Sequence, residues 1–517
     1  MTDSLIKEIE RSFKRSWDYP ALSNYGSKKP YTYGEVAAAV AYIHAIFEEK
    51  GIKPGDKVAL CDKNYRNWVI AMLAIITYGC VGVPILPDYS DAQLLELCEH
   101  CEAKFLFSSS RIASLWEKGK CPMGMIDLAE LLDMDDESDE MRLNALNKYH
   151  EHFPNGVTQS DVSYIKEDLD DMMLLSYTSG SSGHPKGVML SYGAMLSNTK
   201  YILGNKALPE HGKELVLLPL AHMFGFATDF LSGILKGCHL TILTKPPVPS
   251  ILIQAIKDVQ PDTIYSVPLV FEKLTSSAKG IPILEFIASS SVKEVIMGGA
   301  ALSKDAESTL RRRHFKFSVG YGMTECGPLI CHSFYPDVRQ GSCGKVVPGM
   351  TVKVLSSDPQ HVPGEILAKG RNVMLGYYKD EDATKEAIDS RGWLHTGDLG
   401  IIDEDGYIFI RGRKKNMILG SNGQNIYPEE AEDQVVTYSI FEECVVVQRE
   451  NKLVALVYVS DQTLEMAGLT RETINLEQSR KAVNLHLPAY CQIAALEQRD
   501  TEFEKTPKRS IKRFLYE

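Results

Sequence analysis

The stretch Tyr177-Thr178-Ser179-Gly180-Ser181-Ser182-Gly183-His184-Pro185-Lys186-Gly187 decides the fold of this chain. It contains three glycines, four Ser or Thr hydroxyls and one lysine. Glycine lets a backbone turn tightly and bring its N–H groups close to a ligand, and successive N–H groups in such a loop form a concave anion site. Lysine adds a point charge that suits phosphate. The stretch therefore predicts a phosphate-binding loop.

The segments on either side argue against a flexible surface linker, the usual role of Gly/Ser-rich stretches. Residues 172–175 and 188–190 are apolar, and the first of these runs is typical of a buried strand. The common P-loop pattern does not fit, because no Gly-Lys-Ser/Thr follows in register. We therefore expect a phosphate site that differs from the common P-loop.

Composition limits the class of protein. The 517 residues exceed one ordinary domain, so two or three domains are expected. The net charge of −12 disfavours nucleic acid as a partner. The first residues lack the apolar core of a signal peptide, and the eleven cysteines show no regular framework. Both features indicate a soluble protein in a reducing cytoplasm.

One apolar run, residues 68–86, is about long enough to span a bilayer. Two glycines and a proline interrupt its second half. A core helix over about 67–78, followed by a buried strand over 81–86, explains the run better. With a strand at 58–60 these elements make a βαβ unit, so we expect no transmembrane segment.

Strands and helical patterns alternate along the chain after the loop. The predicted strands lie at 214–218, 240–243, 263–267, 292–297 and 315–319, with helices at 249–259 and 303–312. Such alternation predicts a largely parallel, doubly wound α/β sheet. Ligands in these folds bind beyond the carboxyl ends of the strands.

Three short motifs fall at such strand ends. The small residues Gly298-Gly299-Ala300 can admit a flat ring close to the backbone. In Gly320-Tyr321-Gly322-Met323-Thr324-Glu325 the tyrosine can stack on a base, the threonine can reach a phosphate, and the carboxylate is a hard ligand suited to Mg²⁺. The third motif, at 219–225, contains His222, which taken alone is typical of a structural histidine.

Further polar motifs follow towards the C-terminus. Trp393-Leu-His-Thr-Gly-Asp398 ends in an aspartate that can accept both hydroxyls of a ribose or simply occupy a turn. An apolar strand and a basic run, up to Lys415, come next. Residues 443–448 and 453–459 alternate like paired strands, and 471–485 has a helical pattern. The last hundred residues therefore predict a small α/β domain.

Taken in order, these stretches resemble the adenylate-forming superfamily, which comprises acyl-CoA synthetases, luciferases and peptide-synthetase adenylation domains. The resemblance covers most of the chain and is greatest to long-chain fatty acid–CoA ligases. It implies an α/β fold with a large N-terminal domain, residues 1–412, of doubly wound mixed sheets plus a small β subdomain. A small mobile C-terminal α/β domain, residues 413–517, would complete the chain.

The resemblance also implies the site residues and the cofactors ATP, Mg²⁺ and CoA. The implied nucleotide and acyl contacts are Thr178, Ser179, Gly180, Ser181, Ser182, Gly183, Lys186, His222, Gly298, Gly299, Ala300, Gly320, Tyr321, Gly322, Thr324, Asp398 and Arg413. The implied catalytic positions are Lys186, Thr324, Glu325, Lys415 and Ser510. Thr178 and Glu325 would hold Mg²⁺, and Lys415 would be the hinge about which the small domain turns.

The tail departs from the family pattern. The family places a catalytic lysine before an Ile-x-Arg sequence, and here Ile511 and Arg513 put Ser510 at that position. Serine cannot stabilise the charge that builds on phosphorus during adenylation. Lys508, Arg509 or Lys512 could substitute, although direct neighbours in an extended segment point to the other face.

These observations predict an enzyme that activates a fatty acid as acyl-AMP and transfers the acyl group to CoA. The compact region 331–349 favours CoA over an acyl carrier protein, because family members that load carrier proteins often carry an insertion there. Two alternatives stay open: an acyl-AMP or acyl-carrier-protein ligase, and a catalytically weakened acyl or nucleotide binder, which only Ser510 suggests.

Overall fold

The computed structural model describes residues 3–108, 124–128, 140–178, 185–245, 247–276, 279–419, 425–450, 452–506 and 511–517. The flanks of the predicted phosphate loop form an antiparallel hairpin, Met172–Thr178 with Lys186–Ser191. Both strands bury most of their side chains, which is why both runs are apolar.

Two seven-stranded sheets dominate the larger part of the chain. The first has the strand order Phe317–Val319, Glu294–Met297, Thr263–Ser266, Lys213–Val216, His239–Ile242, Pro20–Asn24 and Tyr31–Thr32, and only its last pair is antiparallel. The second has the order Gly376–Tyr377, Lys186–Ser191, Met172–Thr178, Val81–Ile85, Lys57–Cys61, Phe105–Ser108 and Gly124–Asp127. Its first two pairs are antiparallel and the others parallel, so the sheet is mixed.

Helices connect these strands, as the alternating pattern predicts. Among the described residues up to 387, the α- and π-helices are Leu5–Arg15, Tyr33–Glu49, Arg66–Tyr78, Asp91–His100, Glu140–His152, Tyr192–Ile202, Met223–Gly225, the π-helical Phe226–Ser232, Gly233–Lys236, Pro249–Val259, Pro268–Thr275, Ile281–Ser289, Lys304–Arg312 and Glu381–Ala387. Local signals set several boundaries. Thr32 and Glu35 form a complete capping box at the start of one helix.

The apolar run near residue 68 is a helix followed by a strand. The helix Arg66–Tyr78 ends at Gly79, whose φ of 88° lies in the left-handed region that favours glycine. The strand Val81–Ile85 then enters the second sheet, and all five of its residues are buried. Within the described parts of the chain, no helix is long and apolar enough to cross a membrane.

The chain forms two compact units. One comprises residues 1–302, 309–351 and 368–394, and the other comprises 303–308, 352–367 and 395–517. Most of a four-stranded sheet lies in the second unit, with strands Met350–Leu355, Gly364–Gly370, Leu394–Ile402 and Ile408–Arg413. The domain boundary between residues 412 and 413 stays a prediction.

The C-terminal part of the second unit is a small α/β layer. Its sheet pairs Glu443–Arg449 antiparallel with Lys452–Tyr458, which in turn pairs parallel with Ile493–Gln498. The helices are Pro428–Tyr438, Asp461–Ala467 and Leu476–Asn484. Alternate residues of the first strand enter different apolar clusters, Val446 one and Val445 with Val447 the other, as the two-residue period of a strand requires.

One predicted helix is shorter than expected. The pattern at 471–485 predicts a single helix, whereas the structure has a 3₁₀ turn, Arg471–Thr473, and then the helix Leu476–Asn484. The side chain of Asn475 accepts a hydrogen bond from the Gln478 N–H and caps the second element. Asparagine competes well as a helix cap, so the helix starts there rather than continuing from Arg471.

Candidate active site

The hairpin fixes the two ends of the predicted phosphate loop. Thr178 and Lys186 are cross-strand partners, and the Thr178 hydroxyl lies 3.4 Å from the Lys186 carbonyl oxygen to which it donates. Strand register therefore places a hydroxyl and an ammonium-bearing residue at the base of the loop. Ser179, Gly180, Ser181, Ser182 and Gly183 lie outside the described residues, so their phosphate contacts stay a prediction.

A tyrosine connects the predicted lysine to the predicted magnesium ligand. The Tyr377 hydroxyl donates to Glu325 Oε1 at 3.0 Å, and Lys186 Nζ lies 4.9 Å from the centroid of the same ring. Burial and the neighbouring carboxylate raise the pKa of Tyr377, so the phenol stays protonated and can donate. Lys186 and Glu325 thus both contact the side chain of Tyr377.

Sequence reasoning missed Tyr377. Its strand, Gly376–Tyr377, pairs antiparallel with Lys186–Ser191, and that pairing places the ring beside the hairpin. By its residues, the run Gly376-Tyr-Tyr-Lys is typical only of a short strand and turn. No local pattern could show a pairing with a strand nearly two hundred residues earlier.

The backbone around Glu325 is fixed by two buried asparagines that the sequence also did not reveal. Asn198 Nδ2 donates to the Cys326 carbonyl at 2.9 Å, and its Oδ1 accepts from the Leu329 N–H at 2.9 Å. Asn372 Nδ2 donates to the Leu329 carbonyl at 2.8 Å. Because both ends of the turn are bonded to rigid elements, the Glu325 carboxylate, 9% exposed, is preorganised.

A cavity of about 650 Å³, including space open to solvent, lies at the carboxyl ends of the first sheet's strands. The predicted residues that line it are His222, Gly298, Gly299, Gly320, Tyr321, Gly322 and Thr324. Its other walls are mainly apolar or aromatic: Tyr201, Ile202, Phe224, Thr228, Tyr265, Ile296, Met297, Met323, Pro328, Leu329, His332 and Phe334. Residues that are scattered over more than a hundred positions thus face one space.

Two local features shape this cavity. A Cβ at Gly322 would lie 2.1 Å from the Pro328 carbonyl oxygen, so only glycine fits there. His222 Nδ1 accepts a hydrogen bond from the Phe224 N–H at 3.2 Å, which fixes the ring at the start of a helical segment. Ala300 follows the lining glycines but is solvent-exposed and lies outside the wall.

The predicted ribose pair lies in the second unit. Asp398 and Arg413 are register partners on neighbouring antiparallel strands, and Arg413 Nε lies 2.7 Å from Asp398 Oδ1. The aspartate side chain is 5% exposed, whereas the arginine is 48% exposed. The Thr396 hydroxyl accepts from the Asp398 N–H at 3.1 Å and donates to the Ile366 carbonyl. The position of the Asp398 carboxylate is therefore fixed, and one of its oxygens is paired with the Arg413 guanidinium.

The residue before the predicted hinge, Lys414, is paired with a second carboxylate, Glu365. Glu365 accepts from Lys414 Nζ at 2.9 Å and from His395 Nδ1 at 3.2 Å. Burial alone would raise the pKa of Glu365, but the Lys414 ammonium and His395 hold it below its usual range. The next residue, Lys415, is exposed, and its pKa is lowered by its protein surroundings and by Arg413.

The described cations of the tail are all in ion pairs. Lys505 pairs with Glu443 and Glu502, Lys512 lies 3.4 Å from Glu504, and Arg513 pairs with Glu432. Ser510, with Lys508 and Arg509, lies outside the described residues. The departure from the family pattern therefore stays a prediction.

The donor set suits Mg²⁺ that is bound together with phosphate. No group of three or more His, Cys, Asp and Glu side chains forms a metal site among the described residues. Magnesium usually keeps one or two carboxylates and completes its shell from substrate phosphates and water. A single preorganised carboxylate, Glu325, beside Lys186 fits that mode.

Comparison with known proteins agrees with this geometry. The AMP-binding enzyme family matches residues 9–378. The chain belongs to this family. A long-chain-fatty-acid–CoA ligase of Escherichia coli O6:H1 is 32% identical over 461 residues, covering 84% of this chain and 81% of the relative. A 4-coumarate–CoA ligase of Humulus lupulus is 30% identical over 462 residues, covering 86% and 81%.

Solved structures extend the likeness over the whole chain. An anthranilate CoA ligase in complex with anthranoyl-AMP superposes with a TM-score of 0.82 at 20% identity, covering 100% of this chain and 98% of that one. An o-succinylbenzoate coenzyme A synthetase from Bacillus subtilis, in complex with ATP and magnesium ion, gives 0.80 at 21% identity and covers 98% of both chains. At these identities the structures establish the fold alone.

The predicted family and the α/β fold class are confirmed. The predicted cofactors, ATP, Mg²⁺ and CoA, are those of adenylate-forming CoA ligases, the enzymes that these comparisons return. Family membership supports AMP-forming acyl-CoA ligase activity. The relatives differ in the acid that they activate, since coumarate and long-chain fatty acids both appear among them.

Proposed function

We propose that this chain is a fatty acid–CoA ligase that forms AMP. The acid's carboxylate attacks the α-phosphorus of ATP and releases pyrophosphate, and the CoA thiol then displaces AMP from the acyl-AMP. The observation that carries this proposal is the cavity: its wall is largely apolar and aromatic, and none of the described residues that line it is Lys or Arg. A long uncharged chain gains most from such a wall.

The polar residues Lys186, Tyr377 and Glu325 suit the adenylation step. Lys186 and the loop Thr178–Gly183 would bind the β- and γ-phosphates, and Glu325 with Thr178 would hold Mg²⁺. The ion, when bound, offsets phosphate charge. Tyr377 keeps Lys186 and Glu325 at fixed positions, so no reorganisation is needed as charge develops.

A second set of predicted residues would bind the nucleoside and the α-phosphate. Thr324 would contact the α-phosphate, Tyr321 would stack on adenine, and Gly298, Gly299 and Ala300 would meet its edge. Asp398 and Arg413 would bind the ribose hydroxyls. We also propose that the domains divide at residues 412 and 413, and that Lys415 is the hinge between the poses for the two half-reactions.

An acid screen tests this assignment. ATP–pyrophosphate exchange should be greatest with a saturated fatty acid and at least tenfold lower with 4-coumarate or anthranilate, because an apolar wall discriminates by the area it buries. Greater exchange with an aryl acid would overturn the fatty acid assignment. Thioester formed on a carrier protein but not on CoA would overturn the assigned acceptor.

A further inference from the structure

A chain of hydrogen bonds runs from one wall of the cavity to the buried residues Ser318 and Glu294. Tyr201, His332 and Phe334 form this wall. The Tyr201 and Phe334 rings stack with centroids 5.1 Å apart, and the His332 ring meets Phe334 edge-on at 4.7 Å. The wall is therefore a packed aromatic layer with one imidazole in it.

Both ring nitrogens of His332 are engaged on the protein side. Nε2 lies 2.9 Å from the Ser318 hydroxyl, and Nδ1 lies 3.1 Å from the Tyr201 hydroxyl. The Ser318 hydroxyl lies 2.7 Å from Glu294 Oε1, which also accepts from the Tyr335 N–H at 2.9 Å. Glu294, Ser318 and His332 are at most 5% exposed, so water does not compete for these bonds.

Counting protons fixes the state of the imidazole. Burial raises the pKa of Glu294, and the hydrogen bonds from Ser318 and from the Tyr335 N–H oppose that rise. With the carboxylate ionised, Ser318 donates its one proton to Glu294 Oε1, so His332 Nε2 carries hydrogen and donates to Ser318. Nδ1 is then an acceptor for Tyr201, whose hydroxyl also points to the His332 carbonyl at 3.0 Å. Burial lowers the pKa of His332 to about 3, which agrees with a neutral ring at pH 7.

Such a wall offers no charge and no spare donor to a substrate. A second carboxylate at the far end of an acid would lose its water and find no cation there, because burying an unpaired charge is strongly unfavourable. The uncharged end of a monocarboxylic acid has no such desolvation cost.

We propose that the Glu294–Ser318–His332–Tyr201 chain sets the substrate class of this pocket, by holding His332 neutral with both ring nitrogens bonded to protein hydroxyls, so that monocarboxylic acids enter and dicarboxylic acids are rejected. This inference rests on the proposed function, since it takes the side of the cavity formed by Tyr201, His332 and Phe334 as the acyl pocket. His332 acts here as a positioning residue, with Ser318 and Glu294 fixing its proton.

Two measurements test the inference. Nitrogen-15 NMR of histidine-labelled protein at pH 7, with the His332 signals identified by their loss in His332→Gln, should show a neutral ring protonated at Nε2. For straight-chain acids of equal length, kcat/KM should favour the monocarboxylic acid by about 100-fold or more. An imidazolium, a ring protonated at Nδ1, or equal turnover of both acids would overturn the inference.

Variants separate the hydrogen-bond chain from general packing. Ser318→Ala should give a mixture of ring states and lower the discrimination about tenfold, with a raised KM for the monocarboxylic acid and an unchanged KM for ATP. Ser318→Thr keeps a hydroxyl, so the discrimination between the two acids and the KM for the monocarboxylic acid should stay at the wild-type values. Glu285→Gln, which breaks an exposed ion pair with Arg313, is the control and should change neither.

The two proposals can fail separately. If no acid yields AMP, the proposed function is wrong, while the NMR result still decides the state of His332. The role of the Glu294–Ser318–His332–Tyr201 chain would be overturned if Ser318→Ala discriminated between the two acids as well as the wild type does. It would also be overturned if this variant lost affinity for ATP together with affinity for the acid.

Discussion

The two units hold their functional residues in different ways. In the larger unit, Glu325 is nearly buried, bonded to Tyr377 and flanked by a turn that two asparagines fix. In the smaller unit the predicted ribose contact Arg413 is 48% exposed and paired with Asp398, and Lys414, next to the predicted hinge Lys415, is paired with Glu365. Buried bonds preorganise a site, whereas in these two pairs a buried carboxylate meets a cation that solvent reaches, so solvent screening weakens the attraction.

The comparison teaches where each step of the reaction is set. The larger unit has the cavity and the hairpin that flanks the predicted phosphate loop, which we propose bind the acid and the nucleotide. The smaller unit has cations that solvent reaches, next to the predicted hinge. Substitutions in the larger unit should therefore affect binding and chemistry directly, and those in the smaller unit should separate the two half-reactions.

The largest expected effect is for Glu325→Ala. It removes the proposed Mg²⁺ ligand and the acceptor of the Tyr377 hydroxyl, so turnover should fall on the order of a hundredfold or more. Fatty acid binding should persist, because the cavity wall is unchanged. Pyrophosphate exchange over a range of Mg²⁺ concentrations measures this, with Tyr377→Phe as the milder control. Wild-type turnover at limiting Mg²⁺ would remove Glu325 from the site.

A gain of activity is expected for Ser510→Lys. If no neighbour replaces the missing lysine, acyl-AMP formation should rise by roughly a hundredfold, the equivalent of about 2.7 kcal/mol. Conversion of supplied acyl-AMP and CoA to thioester should stay unchanged. Lys512→Ala is the matched test, since Lys512 is paired with Glu504. No gain in Ser510→Lys, together with lost adenylation in Lys508→Ala or Lys512→Ala, would show that the tail is aligned wrongly.

The hinge proposal is tested by Lys415→Pro. Proline fixes φ and resists rotation, and the two half-reactions are expected to need different poses. Acyl-AMP formation should stay within about twofold of wild type, while thioester formation falls about tenfold or more. Lys415→Ala, which leaves φ free, is the control. Equal loss of both half-reactions in Lys415→Pro would contradict a pivot at this residue.

The smallest effect is one of stability, at Glu432 in the smaller unit. Burial raises the pKa of Glu432 to about 7, although Arg513 opposes the rise. A raised pKa means that the folded state binds the proton more tightly. The stabilisation is complete below pH ~4.5 and is lost as pH rises towards 7. In denaturant titrations at several pH values, Glu432→Gln should reduce the dependence of the free energy of unfolding on pH. The control Glu497→Gln, which removes an exposed ion pair with Arg449, should leave that dependence unchanged. An unchanged slope in Glu432→Gln would contradict the assignment.

Much of the fold could be predicted because its signals are local. The helix Pro249–Val259 has the expected bounds, and the capping box at Thr32 is complete. Five predicted strands after the loop lie within a few residues of the observed ones. The resemblance implies that Asp398 and Arg413 both contact the nucleotide, and the two residues are register partners.

The rest depends on contacts between distant positions. Tyr377 reaches Glu325 only through the pairing of Gly376–Tyr377 with the hairpin. Asn198 lies on a helix, and nothing in its local sequence points to a turn more than a hundred residues later. The Glu294–Ser318–His332–Tyr201 chain combines three strands and a helix in the same way. Such residues become visible only when the sheets are assembled.

The most direct test of the account follows oxygen from the acid. A fatty acid labelled with ¹⁸O in both carboxylate positions is incubated with the full chain, ATP, Mg²⁺ and CoA, and the products are analysed by mass spectrometry. Attack of the carboxylate on the α-phosphorus must leave one labelled oxygen in AMP, with unlabelled pyrophosphate and no ADP. Label in inorganic phosphate with formation of ADP would contradict the acyl-adenylate route and with it the proposed function.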